Sequence, residues 1–380
     1  MQVLKPYFRS TEVLKEIKKS LNRSWTGLGW KTTQFEDAFK VYTNLKYCHF
    51  LNSCSAGLHL AIKIFKEECK WKDGDEIITT GITFVSTNHA ILYEKLSPVF
   101  CDVDQSLCLS PKSVEKMISH KTKAIIYVGI GGNAANFESI CSLAKKNNLK
   151  IILDAAHMAG TLEKKTNKQV GKKADCAIFS FQSVKNLPSA DAGAICFKSK
   201  KLDNLARNLS WLGINKDTYQ RKLNNKYIWD YEVEKLGYKY HGNSLIASVC
   251  LVSLKYLNKD NKYRRELSKI YTVKLKDLKD FVTIIHHDDK YLSSRHLLQV
   301  LVNDREELIN YLAKYKIFCG VHYKANYYYK IFKKYKRDTR FSNQYSKKIL
   351  SLPLNLYINE EKINFICKKI HKFYLSKKQT

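Results

Sequence analysis

Lys185 stands just past the apolar run Asp175–Phe181, with Ser180 near the end of that run and Ser183 in between. A lysine beside small polar residues at a strand end can form a Schiff base once desolvation lowers its pKa. Alone, it reads more readily as a surface lysine. Asp154 closes the apolar run Lys150–Asp154. Acids at the C-terminal ends of parallel strands face the crevice where ligands bind, although a turn or a helix cap uses Asp in the same way. Asn52–Gly57 ends one strand and opens a helix, whose free N–H groups and dipole suit a phosphate. Phe84 follows the strand EIITT and offers an aromatic ring for stacking.

Together these residues match what pyridoxal 5'-phosphate requires. That cofactor needs a lysine for its aldehyde and a carboxylate for its pyridine nitrogen. It also needs a phosphate cradle and a flat partner for its ring.

The elements that must hold them follow from the hydrophobic pattern. Short apolar runs predict strands at Cys48–Asn52, Glu76–Thr80, Pro98–Asp102, Ala124–Val128, Lys150–Asp154, Asp175–Phe181 and Ala192–Phe197. Amphipathic stretches between them predict helices at Ser55–Lys70, Phe84–Glu94, Pro111–Ile118 and Glu138–Asn147. In the first, Leu58, Ala61, Ile62 and Phe65 share one face. Alternation of this kind indicates parallel βαβ units. Past about residue 200 the chain turns helix-rich and Tyr-rich. A smaller α+β segment follows, with a strand at Arg295–Val302, a helix at Arg305–Tyr315 and a last helix from Asn359. We expect a large domain over residues 1–250, including an N-terminal arm, and a small one over 251–380.

Composition narrows the function classes. The 380 residues are 44% hydrophobic and 27% charged, which is ordinary globular usage. No apolar run reaches the length of a membrane helix, and the N-terminus lacks a signal peptide's apolar core, so the expected location is the cytoplasm. The formal net charge is +31. Nucleic acid, an anionic membrane or a phosphorylated small molecule would each suit that charge. The basic residues are scattered, however, which favours a solvated surface and predicts neither a nucleic-acid nor a membrane partner. The 11 cysteines form no CxxC and read as reduced thiols. His286-His287-Asp288-Asp289 reads as a solvated turn, because adjacent loop residues seldom converge on one ion. No metal is expected. GxxxxGK[ST] and a strand-borne GxGxxG are both absent, so nucleotide-triphosphate and dinucleotide readings lack support.

The chain resembles the DegT/DnrJ/EryC1/StrS family of sugar aminotransferases along nearly its whole length. WTGLGWKTTQFEDAF resembles the family's N-terminal signature, NSCSAGLHLAI its phosphate loop and DGDEIITTGITFVSTNHAI its ring-stacking segment. DAAHMAG and SFQSVKN resemble the cofactor motifs, and LGYKYHGNSLIASV the loop that reaches a neighbouring active site. The resemblance implies the aspartate aminotransferase (type I) fold: an α/β architecture with a mostly parallel seven-stranded sheet flanked by helices, and a smaller C-terminal α+β domain.

It also implies roles. Lys185 binds the cofactor aldehyde, Asp154 pairs with the pyridine nitrogen, and His157 lies near the phenolic oxygen. Ser180, Cys54 and Ser55 bind phosphate. Phe84 stacks on one ring face and Ala156 lies on the other. Lys239 and Asn243 reach the neighbour's phosphate across a homodimer with shared sites. Thr26, Gly27, His322 and Tyr323 line the sugar pocket. The chain departs from common family residues at Cys54-Ser55, Asn136, Asp191-Ala192-Gly193 and Lys239, none of which removes an essential chemical group.

The implied reaction moves an amino group from glutamate, released as 2-oxoglutarate, to a nucleotide-linked keto sugar, most commonly a 4-keto-6-deoxyhexose. Another phosphorylated ketone is the alternative acceptor. Dehydratases of the family typically replace the lysine with His, so Lys185 argues against them. A basic nucleic-acid-binding or regulatory protein on the same fold is the reading from a different class.

Overall fold

The computed structural model describes residues 1–215, 219 and 229–378. In chain order its strands are β1 (His49–Leu51), β2 (Glu76–Thr80), β3 (Ser97–Cys101), β4 (Thr122–Val128), β5 (Lys150–Asp154), β6 (Leu162–Glu163), β7 (Lys168–Gln169), β8 (Cys176–Ser180), β9 (Gly193–Phe197), β10 (Val282–Ile284), β11 (Tyr291–Leu292), β12 (Leu298–Val302) and β13 (Ile349–Leu352). Seven of them form one sheet in the order β1-β9-β8-β5-β4-β2-β3. Only β9 runs against the others. The expected mostly parallel sheet is therefore present, and the apolar runs mark each of its strands to within two residues.

Near-continuous burial explains why these runs are apolar throughout. Ile125, Ile126, Ile152, Leu153 and Ile178 are buried, with helices packed over the sheet. Each such side chain contributes about 1.5–3 kcal/mol on leaving water. Helix Cys54–Glu68 buries the predicted face, and Ser53 caps it by accepting from the Ala56 N–H at 3.1 Å. Two glycines seat that helix. A Cβ on Gly57 would lie 2.7 Å from Ile178, and one on Gly193 would lie 2.6 Å from the Cys54 nitrogen. Side chains there would push the helix start off the sheet.

The later chain builds a second core. β10, β12 and β13 form an antiparallel sheet, packed with helices Arg305–Ala313 and Glu360–Lys378 around Leu298, Val300, Leu350 and Ile366. Helix Ser244–Lys274 joins the two cores. It spans 31 residues, and so about 46 Å. Residue 250 falls inside it, so the boundary expected there is not a linker. The first residues also join the second unit, since Phe318 N–H donates to the Met1 carbonyl and Gln2 bridges to Phe318.

One expectation needs correction. The His286–Asp289 stretch is not simply solvated, because His287 is buried with Nδ1 2.8 Å from Ser293 Oγ. Among the described residues no group of His, Cys, Asp and Glu is arranged to hold a metal, and no helix is long and apolar enough to cross a membrane.

Candidate active site

The C-terminal ends of β4, β5 and β8 lie side by side. Val128 pairs with Asp154, and Asp154 pairs with Ile178. Beyond them opens a cavity of about 480 Å³. Its walls include Cys54 and Ser55 from the start of helix Cys54–Glu68, Ser180 from the end of β8, and Ala156 and His157 from the loop after β5. Lys185, His322 and Tyr323 line it too, and Phe84 stands at its rim, 57% exposed.

Asp154 is 4% exposed. One carboxylate oxygen accepts from Ala156 N–H at 3.1 Å and the other from Thr87 Oγ1 at 2.7 Å. Burial pushes its carboxyl above the ordinary value, and the two hydrogen bonds and Lys185 oppose that only in part. Among the described residues it forms no ion pair. A buried carboxylate in this condition has unused capacity for an N–H donor or a cation.

Lys185 sits in the same cavity. Desolvation lowers its pKa, with Cys54 and Asp154 acting in the opposite direction. A lysine so placed holds a larger share of neutral, nucleophilic amine. The next residue is clamped: Asn186 Nδ2 donates to Asn261 Oδ1 and to the Ser294 carbonyl, both at 2.7 Å.

Three histidines surround this group. His157 Nδ1 receives the Gly131 N–H at 3.1 Å, and its Nε2 lies 3.3 Å from the Tyr323 hydroxyl. His296 lies against it with ring centroids 4.3 Å apart. His322 Nδ1 contacts Ser351 Oγ at 2.9 Å, and desolvation together with Lys185 holds its pKa down to about 4. The Phe84 and Tyr323 rings are 6.0 Å apart.

Four expected residues lie elsewhere, three at the start of helix Ser244–Lys274 and Lys239 beside Trp211. Thr26 and Gly27 carbonyls accept from Ser244 N–H at 3.0 and 2.9 Å, and Asn243 caps helix Ser244–Lys274 by accepting from Ile246 N–H. Lys239 holds its ammonium 3.7 Å from the centre of the Trp211 ring. None of the four lines the Lys185 cavity of its own chain. Sequence reasoning missed Leu4, Thr87, Gln182 and His296, which do line it. His296 had one usable signal, a polar residue immediately before an apolar strand. Leu4 had none, since only the folding of the N-terminus onto the second unit brings it there.

Comparison with known proteins agrees with this geometry. The model of the DegT/DnrJ/EryC1/StrS aminotransferase family matches residues 9–371. The chain is 31% identical over 350 residues to a Campylobacter jejuni UDP-4-amino-4,6-dideoxy-N-acetyl-beta-L-altrosamine transaminase, covering 89% of this chain and 88% of that one. Helicobacter pylori PseC, an aminotransferase involved in the biosynthesis of pseudoaminic acid, superposes with a TM-score of 0.90 at 26% identity, covering 98% and 99% of the two chains. A putative sugar aminotransferase from Streptococcus pneumoniae in its PLP form shares the fold, with a TM-score of 0.87 at 23% identity over 97% of each chain.

The chain belongs to the DegT/DnrJ/EryC1/StrS aminotransferase family. It is a pyridoxal-phosphate-dependent aminotransferase with the type I fold. Membership gives the cavity its chemistry, and the cavity gives each side chain a place from which to take part.

Proposed function

We propose that this enzyme transfers an amino group from glutamate to the ketone of a nucleotide-linked 4-keto-6-deoxyhexose. The observation that carries the reading is the pairing, in one cavity, of Lys185 with a buried Asp154 that has no cation of its own. A pyridinium N–H supplies what Asp154 lacks, so the residues present fit pyridoxal phosphate. Ser180 and the first N–H groups of helix Cys54–Glu68 suit its phosphate.

When bound, the cofactor supplies an aldehyde that condenses with amines and a ring that takes up the electron pair left by a departing proton. The chain's own residues do the rest. Asp154 keeps a proton on the ring nitrogen. Lys185, freed as an amine, would take the proton from the amino acid's α-carbon and deliver it two atoms away, at the carbon of the cofactor's aldehyde. His157 would meet the phenolic oxygen. Walls made by Phe84 and Ala156 hold the ring flat, and His322 and Tyr323 meet the sugar. Lys239 and Asn243 serve the neighbouring cavity in a homodimer, and Thr26 and Gly27 belong to the sugar pocket.

The Campylobacter relative, a UDP-4-amino-4,6-dideoxy-N-acetyl-beta-L-altrosamine transaminase, supports an amine placed at C4. Remote binding energy from the nucleotide would position the ketone. The test is release of 2-oxoglutarate from glutamate with UDP- and dTDP-linked 4-keto and 3-keto sugars, with Lys185→Ala as the inactive control. Turnover of a nucleotide-linked 4-keto-6-deoxyhexose is expected. A free keto sugar or a small phosphorylated ketone reacting equally well would overturn the acceptor assignment.

A further inference from the structure

His296 is 1% exposed and stands beside the site without a role in the reading above. Its tautomer follows from backbone groups that cannot change their polarity. The Ser294 carbonyl accepts from Asn186, so the atom facing it must be the amide nitrogen. Asn261 is pinned in the same sense, because its Nδ2 donates to the Ala159 carbonyl at 2.9 Å and its oxygen therefore faces Asn186. Asn186 is left with its oxygen 2.9 Å from His296 Nδ1. Only a protonated Nδ1 satisfies that contact. The Nε2 of His296 is then bare.

His157 takes the opposite tautomer by the same logic. The Gly131 N–H can only donate, so His157 Nδ1 is bare and the neutral ring carries its proton on Nε2, toward Tyr323 and the cavity. One residue ties the pair together, since the Gly131 carbonyl accepts from the His296 backbone N–H at 3.0 Å. The two rings lie against each other in the cavity wall, their planes tilted by 37°.

We propose that His296 is a positioning residue, which fixes the plane of His157 and keeps that ring neutral, with its Nε2–H donor aimed into the cavity. The role assigned to His157 rests on the aminotransferase reading, whereas the two tautomers do not. Burial lowers the proton affinity of both rings, and the cationic or titratable groups facing them act in the same direction or stay neutral: Lys185 and His322 on both, Arg264 on His296, and Tyr323 on His157. Removing the His296 ring would admit water against His157 and let it take up a proton.

The experiment is long-range ¹H–¹⁵N NMR of the full-length histidine-labelled protein, before and after adding pyridoxal phosphate, between pH 5 and 8.5. In the wild type His296 should appear as the Nδ1–H form and His157 as the Nε2–H form, both unchanged across the range. In His296→Ala, His157 should titrate between pH 5 and 7, and kcat should fall about tenfold below pH 6.5, recover by pH 8.5 and leave KM within twofold. His296→Phe, which keeps an apolar ring against His157, should restore the flat profile. It also serves if the alanine variant fails to fold. A wild-type His157 in the Nδ1–H form, a midpoint near 6.5 in the wild type, or a His157 signal indifferent to His296→Ala would each overturn the proposal. Expected tautomers in a protein that transaminates no acceptor would instead overturn the functional reading and leave the positioning intact.

Discussion

Glu36 and Asp154 are both buried carboxylates, and they are treated in opposite ways. Glu36 lies under β1 and is fully matched. Its Oε1 accepts from Phe50 N–H at 2.7 Å and faces His49 Nδ1 at 3.1 Å, while Oε2 pairs with Arg207 at 2.9 Å. Burial would raise its carboxyl, but Arg207, His49 and the Phe50 N–H outweigh it and hold the group below the ordinary carboxylate value. Asp154 receives two hydrogen bonds and, among the described residues, forms no ion pair; Lys185 acts on it only in part, so burial wins and its carboxyl is raised. Burial alone therefore does not mark a site. A buried charge whose partner is missing from the chain does, because folding has left a cost that a ligand can remove.

Breaking the matched carboxylate should give the largest effect, and on stability. Glu36→Ala removes the buried acceptor of Phe50 N–H and His49 Nδ1, while Arg207 keeps Asp203 and the Cys48 carbonyl. Leaving these two buried groups unsatisfied costs about 1–3 kcal/mol each. Urea unfolding should therefore shift by that amount, while the folded fraction still takes up pyridoxal phosphate with the wild-type absorbance. A variant that kept its stability but lost the absorbance would reverse the contrast.

Breaking the unmatched carboxylate should act on rate. Asp154→Asn replaces a charge with a neutral amide of the same shape. Loss of one preorganised electrostatic contact commonly lowers a rate by about 10²–10³-fold, or about 2.7–4 kcal/mol. Single-turnover reaction of the loaded variant with glutamate should slow by that factor without loss of folding stability. An unchanged rate would remove Asp154 from the chemistry.

The contrast also explains what could be read from sequence. Asp154 was legible because it ends an apolar strand, and strands buried on both faces advertise themselves as continuous Ile-Leu runs. Lys185 and Ser180 were legible through a motif whose spacing is local. Glu36 was not, since its partners His49 and Arg207 come from distant segments and nothing in QFEDAF distinguishes one helical acid from the next. His296 was missed for the same reason, because its role depends on Asn186 and Gly131, which only the fold brings to it. The Thr26, Gly27, Lys239 and Asn243 group was legible as a set but not as a place. The structure puts Thr26, Gly27 and Asn243 around the start of helix Ser244–Lys274 and Lys239 against Trp211, and none of them lines the Lys185 cavity. Helices Ser10–Asn22 and Trp30–Thr43 were also unread, although both pack on Ser244–Lys274 and help to carry that start.

The smallest expected effect separates the two carboxylates most cleanly, because its sign differs between them. In protein freed of cofactor, folded Asp154 has a raised pKa. Between the ordinary carboxylate value and that raised value, the folded chain holds a proton that the unfolded chain has released. Stability from this group therefore falls as pH rises through the window. Folded Glu36 has a lowered pKa. Between its lowered value and the ordinary one, the unfolded chain holds a proton that the folded chain lacks, so the stability it contributes is present above the window and is lost as pH falls through it. Either slope is limited to about 1.4 kcal/mol per pH unit for one proton. Urea unfolding of the cofactor-free wild type, Asp154→Asn and Glu36→Gln should be compared from pH 3.5 to 8. Asp154→Asn should gain on the wild type as pH rises and then level off. Glu36→Gln should close on the wild type as pH falls through the acid part of the range, because only the wild type has that contribution to lose. Adding pyridoxal phosphate should erase the gain of Asp154→Asn, since the ring nitrogen then supplies the missing partner. A pH-independent difference for Asp154→Asn, or one that persists with cofactor bound, would mean that Asp154 is as well matched as Glu36 and that its burial carries no message about the site.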